Sequence, residues 1–418
     1  MTLIKHASIV VLREGPAARS RSNRINRINR INRIFGFLRA RAAGSIAAAT
    51  LLYGSAVFAA EVGVTPQSIV IGQSTALTGP IGAGIGTEYS EGFKVALEDI
   101  NRRGGVLGRS IKLVQMDDGY VPQRSLENTK KILNEAGVFA LVGSLGTANI
   151  AAVLPLITER RVPLFAGFSG ADSLRRENNK YLFTVMAAYG DETEKMVQHL
   201  TTINLKSIAV VYLNNSFGKD GLVGVEAALK RRQMALVASV PIETDASDAA
   251  VAAKTLAAAK PQAVIATVAG KATIEFIREF KKTGVTSQIL LLSVADSNRL
   301  VQEFGKGAAG IIVAQTMPSP YGDRIILARD YRRLMKEAGK EKLISYASMT
   351  GFVSARAFAQ VLQQTGAEPT REKFLAAVGR SRSLDLGGYE LRFAPDQNNG
   401  SRYVELTMIN SGKSTFLY

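Results

Sequence analysis

The sequence predicts an α/β protein of two doubly wound parallel-sheet lobes. Three observations carry that reading. Apolar runs of strand length alternate with stretches of helical periodicity from residue 68 onward. Small-residue turns follow several of the strand candidates, as expected where loops leave the carboxyl ends of parallel strands. The alternation pauses before Asp191 and then restarts on a similar plan, and 418 residues are enough for two such units.

In order, Ser68–Thr75 reads as a buried strand running into Ala76–Pro80 and the glycine-rich Ile81–Thr87. Glu88–Arg103 is a helix with Phe93, Val95, Ala96, Leu97 and Ile100 on its apolar side, stopped by Gly104 and Gly105. Ile111–Met116 is a strand ending at Asp117-Asp118-Gly119-Tyr120, and Pro122–Glu135 a helix. Val138–Val142, the turn Gly143–Thr147, helix Ala148–Arg160, run Pro163–Phe165 and turn Ala166–Gly170 repeat the unit. Tyr181–Met186 reads as a strand leaving the first lobe.

The second lobe alternates helices Glu192–Leu205, Gly218–Arg231, Ala249–Ala259 and Thr273–Thr283 with strands Ile208–Leu213, Leu236–Pro241, Ala263–Val268 and Ile289–Ser293. Gly310–Ala314 adds a strand, and Pro318–Gly322 reads as a crossover. Helices Asp323–Gly339, Tyr346–Thr365 and Arg371–Val378 follow, then strands Tyr389–Phe393 and Tyr403–Ile409 around a polar turn.

The formal charge of +17 is uneven. The first sixty residues hold ten basic side chains and one acid, so +9 sits there and +8 on the remainder. Lys/Arg clusters with interleaved aromatics are missing, which argues against nucleic acid as a partner. Zero cysteine excludes disulfides, thiolate metal sites and a lipid-modified N-terminal cysteine. Residues 24–34 read RINRINRINRI, a repeat given no structural role. Arg39 and Arg41, the apolar run Ala42–Phe58 and the small residues Ala59-Ala60 form a secretory signal, with cleavage expected after Ala59 or Ala60 and release to the periplasm.

Catalytic constellations are scarce. His199 is the one histidine after the signal, and GxSxG, HExxH and Walker patterns are missing. No enzyme activity, metal or cofactor is expected. Gly82-Ala83-Gly84-Ile85-Gly86 has GxGxG rather than dinucleotide spacing, and reads as a glycine-rich lip for a ligand. Asp117-Asp118 reads as a strand end capping the next helix. Thr147 opens a helix whose first-turn N–H groups would suit a carboxylate, or it is a plain N-cap; Ser169 reads the same way.

Ser68–Pro80 (SIVIGQSTALTGP), Glu91–Gly108 (EGFKVALEDINRRGGVLG), Leu113–Pro122 (LVQMDDGYVP) and Val138–Leu174 resemble the type I periplasmic binding proteins. The branch resembled is the leucine/isoleucine/valine-binding receptors of ABC importers. The resemblance implies two lobes joined by three hinge crossovers, with lobe 1 over 61–190 and 317–380 and lobe 2 over 191–316 and 381–418. It implies a small amino acid, amide or carboxylate held in the cleft by a monomer and delivered to membrane permease subunits. A sensory receptor module of the same fold is the alternative.

Position by position, the family's carboxylate-binding hydroxyl matches Thr147, flanked by Ser144 and Gly146, and the fourth-strand loop matches Phe168, Ser169 and Gly170. Gly84 lies on the glycine-rich lip. Tyr189 stands where amino-acid binders place an acid, Phe217 matches their cleft aromatic, and the ammonium-holding acid falls near Ser293, with Asp296 the nearest carboxylate. The implied ligand therefore has a carboxylate-like head and no required ammonium group.

Overall fold

The computed structural model describes residues 61–175, 179–410 and 413–416. The expected signal segment and its cleavage site lie outside the described residues.

The first sheet has four parallel strands: β1 (Ser68–Thr75), β2 (Ser110–Asp117), β3 (Ala140–Val142) and β4 (Leu164–Phe165), in the order β2-β1-β3-β4. The order reverses between β1 and β3, so the loops leaving those strands splay apart and open a crevice. Helices α1 (Thr87–Arg102), α2 (Pro122–Lys131) and α3 (Thr147–Glu159) connect the strands. Gly82–Gly86, expected as an open lip, is instead a wide helical turn leading into α1. A Cβ on Gly86 would sit 1.8 Å from the Ala76 carbonyl oxygen, so glycine is what lets this turn press on the end of β1.

The second sheet has order β13-β12-β9-β8-β7-β5-β6. Its parallel members are β5 (Ile208–Leu213), β6 (Ala238–Ile242), β7 (Ala263–Thr267), β8 (Gln288–Leu291) and β9 (Ile312–Gln315). Strands β12 (Glu405–Asn410) and β13 (Lys413–Phe416) close it as an antiparallel edge, which the purely parallel expectation lacked. The connecting helices are α4 (Tyr189–Thr202), α5 (Ser216–Lys230), α6 (Ala249–Ala258), α7 (Lys271–Lys282) and α8 (Ser297–Phe304). Here the switch point lies between β5 and β7.

After β9 the chain returns to the first sheet as α9 (Ile326–Glu337), α10 (Tyr346–Gln363) and α11 (Arg371–Arg380). Helix α10 crosses α1 at backbone contact: a Cβ on Gly92 would stand 1.8 Å from the Ser348 carbonyl oxygen, and one on Gly351 1.9 Å from that of Tyr89. Phe139, Phe165, Phe358, Phe374 and Phe393 form a buried aromatic cluster on this lobe. Such ring pairs bring large apolar area with edge-to-face geometry.

Two sequence expectations are corrected. Tyr181–Met186 forms no regular strand; beside the two-residue β4 it makes one bridge, Leu164 to Leu182, because so short a partner offers no longer ladder. The strand expected at Tyr389–Phe393 shortens to β11 (Glu390–Leu391), paired with β10 (Leu384–Asp385). Phe393 packs edge-on to Phe183 and at a tilt to Phe165, and the chain pairs with the second sheet at β12.

The three crossovers meet at one side chain. The buried Tyr389 hydroxyl lies 3.3 Å from the carbonyls of Val185 and Thr316 and 2.9 Å from the Ser401 hydroxyl. It faces an acceptor oxygen of each passage, tying all three together.

Candidate functional site

The loops that leave both switch points face one another. Those after β3 and β4 are zipped by their backbones: Phe168 N donates to Ser144 O at 2.7 Å and Gly146 N to Phe168 O at 3.2 Å. Gly146 (φ 105°) caps α3 without a side-chain hydrogen bond, so Thr147 is the first helical residue and not the N-cap. Its hydroxyl lies 2.9 Å from that of Ser169, and both residues are buried. Together with the uncapped first-turn N–H groups of α3, this gathers donors where negative charge is favoured.

A cavity of about 20 Å³ lies between the lobes, lined by Gly146, Thr147, Phe168, Tyr189 and Phe217 together with Ile81, Ile85, Tyr120, Leu145, Ala269 and Val294. Four aromatic rings stand among its aliphatic walls. Tyr89 stacks behind Phe168 with ring centroids 4.8 Å apart, and Tyr189 meets Phe217 edge-on at 5.3 Å. Gly170 lets Tyr189 in, since a Cβ there would be 2.5 Å from the ring. Gly146 does the same for Tyr120, again at 2.5 Å.

The other end of the cleft is acidic. Ser293, expected to offer only a neutral hydroxyl, donates from its N and Oγ to the fully buried Glu192 carboxyl at 2.7 and 2.8 Å. Burial pushes Glu192 up to about 8 despite those donors. Asp296 caps α8, accepting from Arg299 N at 3.0 Å. It shares a second cavity, of about 10 Å³, with Glu88 of α1, Ser293, Ser297, Tyr321 and Ser345. Burial and the Asp296 charge raise Glu88 to about 7, while burial raises Asp296. Gly84 lines a third small cavity beside Asp296. Thr147, Phe168, Ser169, Tyr189 and Phe217 thus gather at one end, with Gly146 and Gly170 shaping it, and Ser293, Asp296 and Gly84 at the other. Ser144 contributes its backbone.

Tyr120, Glu88 and Glu192 were missed by sequence reasoning. Tyr120 carried a signal, an aromatic just past the end of β2. Asp117 and Asp118 do not cap α2, whose N-cap is Val121 without a side-chain bond. Asp117 instead accepts from Leu77 N, Gly119 N and the Thr78 hydroxyl, and Asp118 from Ser74, Tyr120 N and Asn149, so the pair fixes the loops around the cleft. Among the described residues no three His, Cys, Asp or Glu side chains gather as a metal site would require, and no helix is long and apolar enough to cross a membrane.

The profile of the periplasmic binding protein family matches residues 68–414. The chain belongs to that family, in its type I, leucine/isoleucine/valine-binding branch. Among solved structures, a substrate-binding periplasmic protein from Ralstonia solanacearum superposes with TM-score 0.79 at 28% identity, over 84% of this chain and 100% of that one. A possible leucine/isoleucine/valine-binding protein from Rhodopirellula baltica SH 1 gives 0.78 at 27%, over 85% and 98%. A Leu/Ile/Val-binding protein homolog from Brucella melitensis is 26% identical over 43% of this chain and 50% of its own length. The chain spans about half the length of the curated relatives it matches. This periplasmic binding protein therefore keeps the fold of its family, and its cleft has aromatic side chains at one end and buried acids at the other.

Proposed function

We propose that this protein is the periplasmic substrate-binding component of an ABC importer, capturing a small carboxylate, amide or amino acid between its lobes and delivering it to permease subunits. The observation that carries the reading is the cleft itself. Loops from both switch points converge on a Thr147–Ser169 hydroxyl pair, an aromatic clamp and a buried acidic end. The Thr147 and Ser169 hydroxyls pair with each other rather than with a base, so that end of the cleft supports holding rather than converting a ligand.

Thr147, Ser169 and the first turn of α3 take the carboxylate head. Tyr120, Phe168, Tyr189 and Phe217 enclose the body. Glu192 through Ser293, with Asp296 and Glu88, receives a hydrogen-bond donor at the far end, which ranks amino acids and amides beside simple carboxylates. Cavities of about 10 and 20 Å³ each hold roughly one water, so ligand entry requires the lobes to part. Export follows the signal over residues 1–60.

A thermal-shift screen of aliphatic and aromatic carboxylates, amides and amino acids tests this. A ligand of the folded state raises stability by RT ln(1 + [L]/Kd), so a true one raises the Tm by several degrees at 100 Kd. A screen in which none of these classes shifts the Tm contradicts the reading.

A further inference from the structure

We propose that Asp220 is a latch holding the lobes closed, gripping one end of the loop whose other end faces the ligand. The proposal rests on the reading of the two lobes as a closing trap. Asp220 lies on α5 of the second lobe and is 8% exposed. Its Oδ2 accepts from the backbone N of Asp172 at 2.7 Å, and its Oδ1 from the backbone N of Ser173 at 3.0 Å. Both donors belong to the single helical turn Asp172–Leu174, which follows β4 in the first lobe. One carboxylate thus takes two backbone N–H groups, one per oxygen, from the opposite lobe. Hydrogen bonds to an ionised acceptor are the strong kind, and the N–H groups at the start of a helical turn have no partner within it.

α5 is shaped to bring the acid there. A Cβ on Gly224 would lie 2.6 Å from the Thr193 hydroxyl, so glycine lets α5 seat against α4.

The gripped segment connects directly to the ligand end. Ser169 Oγ pairs with Thr147 and accepts from Ala171 N at 3.2 Å. The Ser169 carbonyl accepts from Arg175 at 3.1 Å, and the Asp172 carboxylate accepts from Gly190 N at 2.8 Å, at the first crossover. A ligand seated on Thr147 and Ser169 therefore settles the segment that presents its N–H groups to Asp220. Opening separates Asp220 from both donors, so the latch acts on the closed form alone and touches no ligand atom.

The chain has no cysteine, so single cysteines at exposed Lys130 and Lys254, one per lobe, carry a fluorescent donor–acceptor pair cleanly. Single-molecule energy transfer on ligand-free protein reads the closed-state dwell time in the parent, Asp220→Ala and the near-isosteric Asp220→Asn, with circular dichroism confirming the fold. If Asp220→Ala fails to fold, Asp220→Asn carries the comparison. The latch predicts a closed dwell time at least fivefold shorter in the variants, with an unchanged open-state distance. Equal dwell times in parent and variants overturn the latch while leaving the closing trap intact. A parent fixed at one distance without ligand overturns the latch, and the same fixed distance at saturation with the best compound of the thermal screen overturns the closing trap as well.

Discussion

The Thr147 hydroxyl lies 2.9 Å from the Ser169 hydroxyl, joining the loops after β3 and β4 at the start of a helix that no side chain caps. Each hydroxyl carries one hydrogen, so one donates within the pair and the other remains to donate outward. Thr147→Ala is expected to weaken binding of a carboxylate ligand by about 1–3 kcal/mol, the usual worth of a hydrogen bond to a charged group. Thr147→Ser should retain most of the affinity. Calorimetric titration with the best compound of the thermal screen measures both, and an unchanged Kd in Thr147→Ala removes the carboxylate head from this position.

Asp296 and Glu88 face one small cavity from opposite lobes. Asp296→Asn is expected to reduce affinity for an amine-bearing ligand at least tenfold while sparing its des-amino analogue. Equal losses for both compounds would mean that Asp296 serves only as the cap of α8.

Two buried acids set a pH dependence. Burial holds Glu192 near 8, and burial with the Asp296 charge holds Glu88 near 7, against an unfolded value of 4.5 for each. Both values are raised, so the folded state binds more protons than the unfolded state between pH 4.5 and 8. Stability from these groups is fully present below the unfolded value and falls as pH rises through that window. Urea unfolding should give a higher midpoint at about pH 5.5 than at about pH 8. Glu192→Gln keeps an acceptor for Ser293 N and should flatten the curve above the Glu88 value. An unaltered slope in that variant assigns the dependence elsewhere.

The crossing of α1 and α10 depends on Gly92 and Gly351, each of which would place a Cβ within 2 Å of a carbonyl oxygen. The obstacle is backbone and cannot rotate away. Gly92→Ala and Gly351→Ala are each expected to lower stability by about 3 kcal/mol, at the upper end for overpacking. Chemical denaturation measures it, and a loss below about 1 kcal/mol would show that the helices part freely.

Residue patterns revealed the fold because parallel strands buried on both faces read as short apolar runs, and glycine turns mark their ends. Segments with little periodicity were misread: Tyr181–Met186 is apolar but lies beside only two regular residues of β4, and β13 was missed. At the site, the family's pattern points to Thr147, Ser169, Tyr189 and Phe217; the structure brings Thr147, Tyr189 and Phe217 to one small cavity, with Ser169 hydrogen-bonded to Thr147. Glu192 was invisible because its partner Ser293 is 101 residues away, and nothing local distinguishes it from a surface helix acid. Asp117 and Asp118 were read as local caps because their true partners, in the loop after β1 and on α3, are likewise distant in sequence.

In the proposed function a ligand is taken between two lobes that close on it. Small-angle scattering of the protein, free and saturated with the best compound of the screen, tests it most directly. Lobes that close on a ligand give a smaller radius of gyration at saturation than in the free protein. An unchanged radius at demonstrated saturation would contradict it and make the cleft a rigid site.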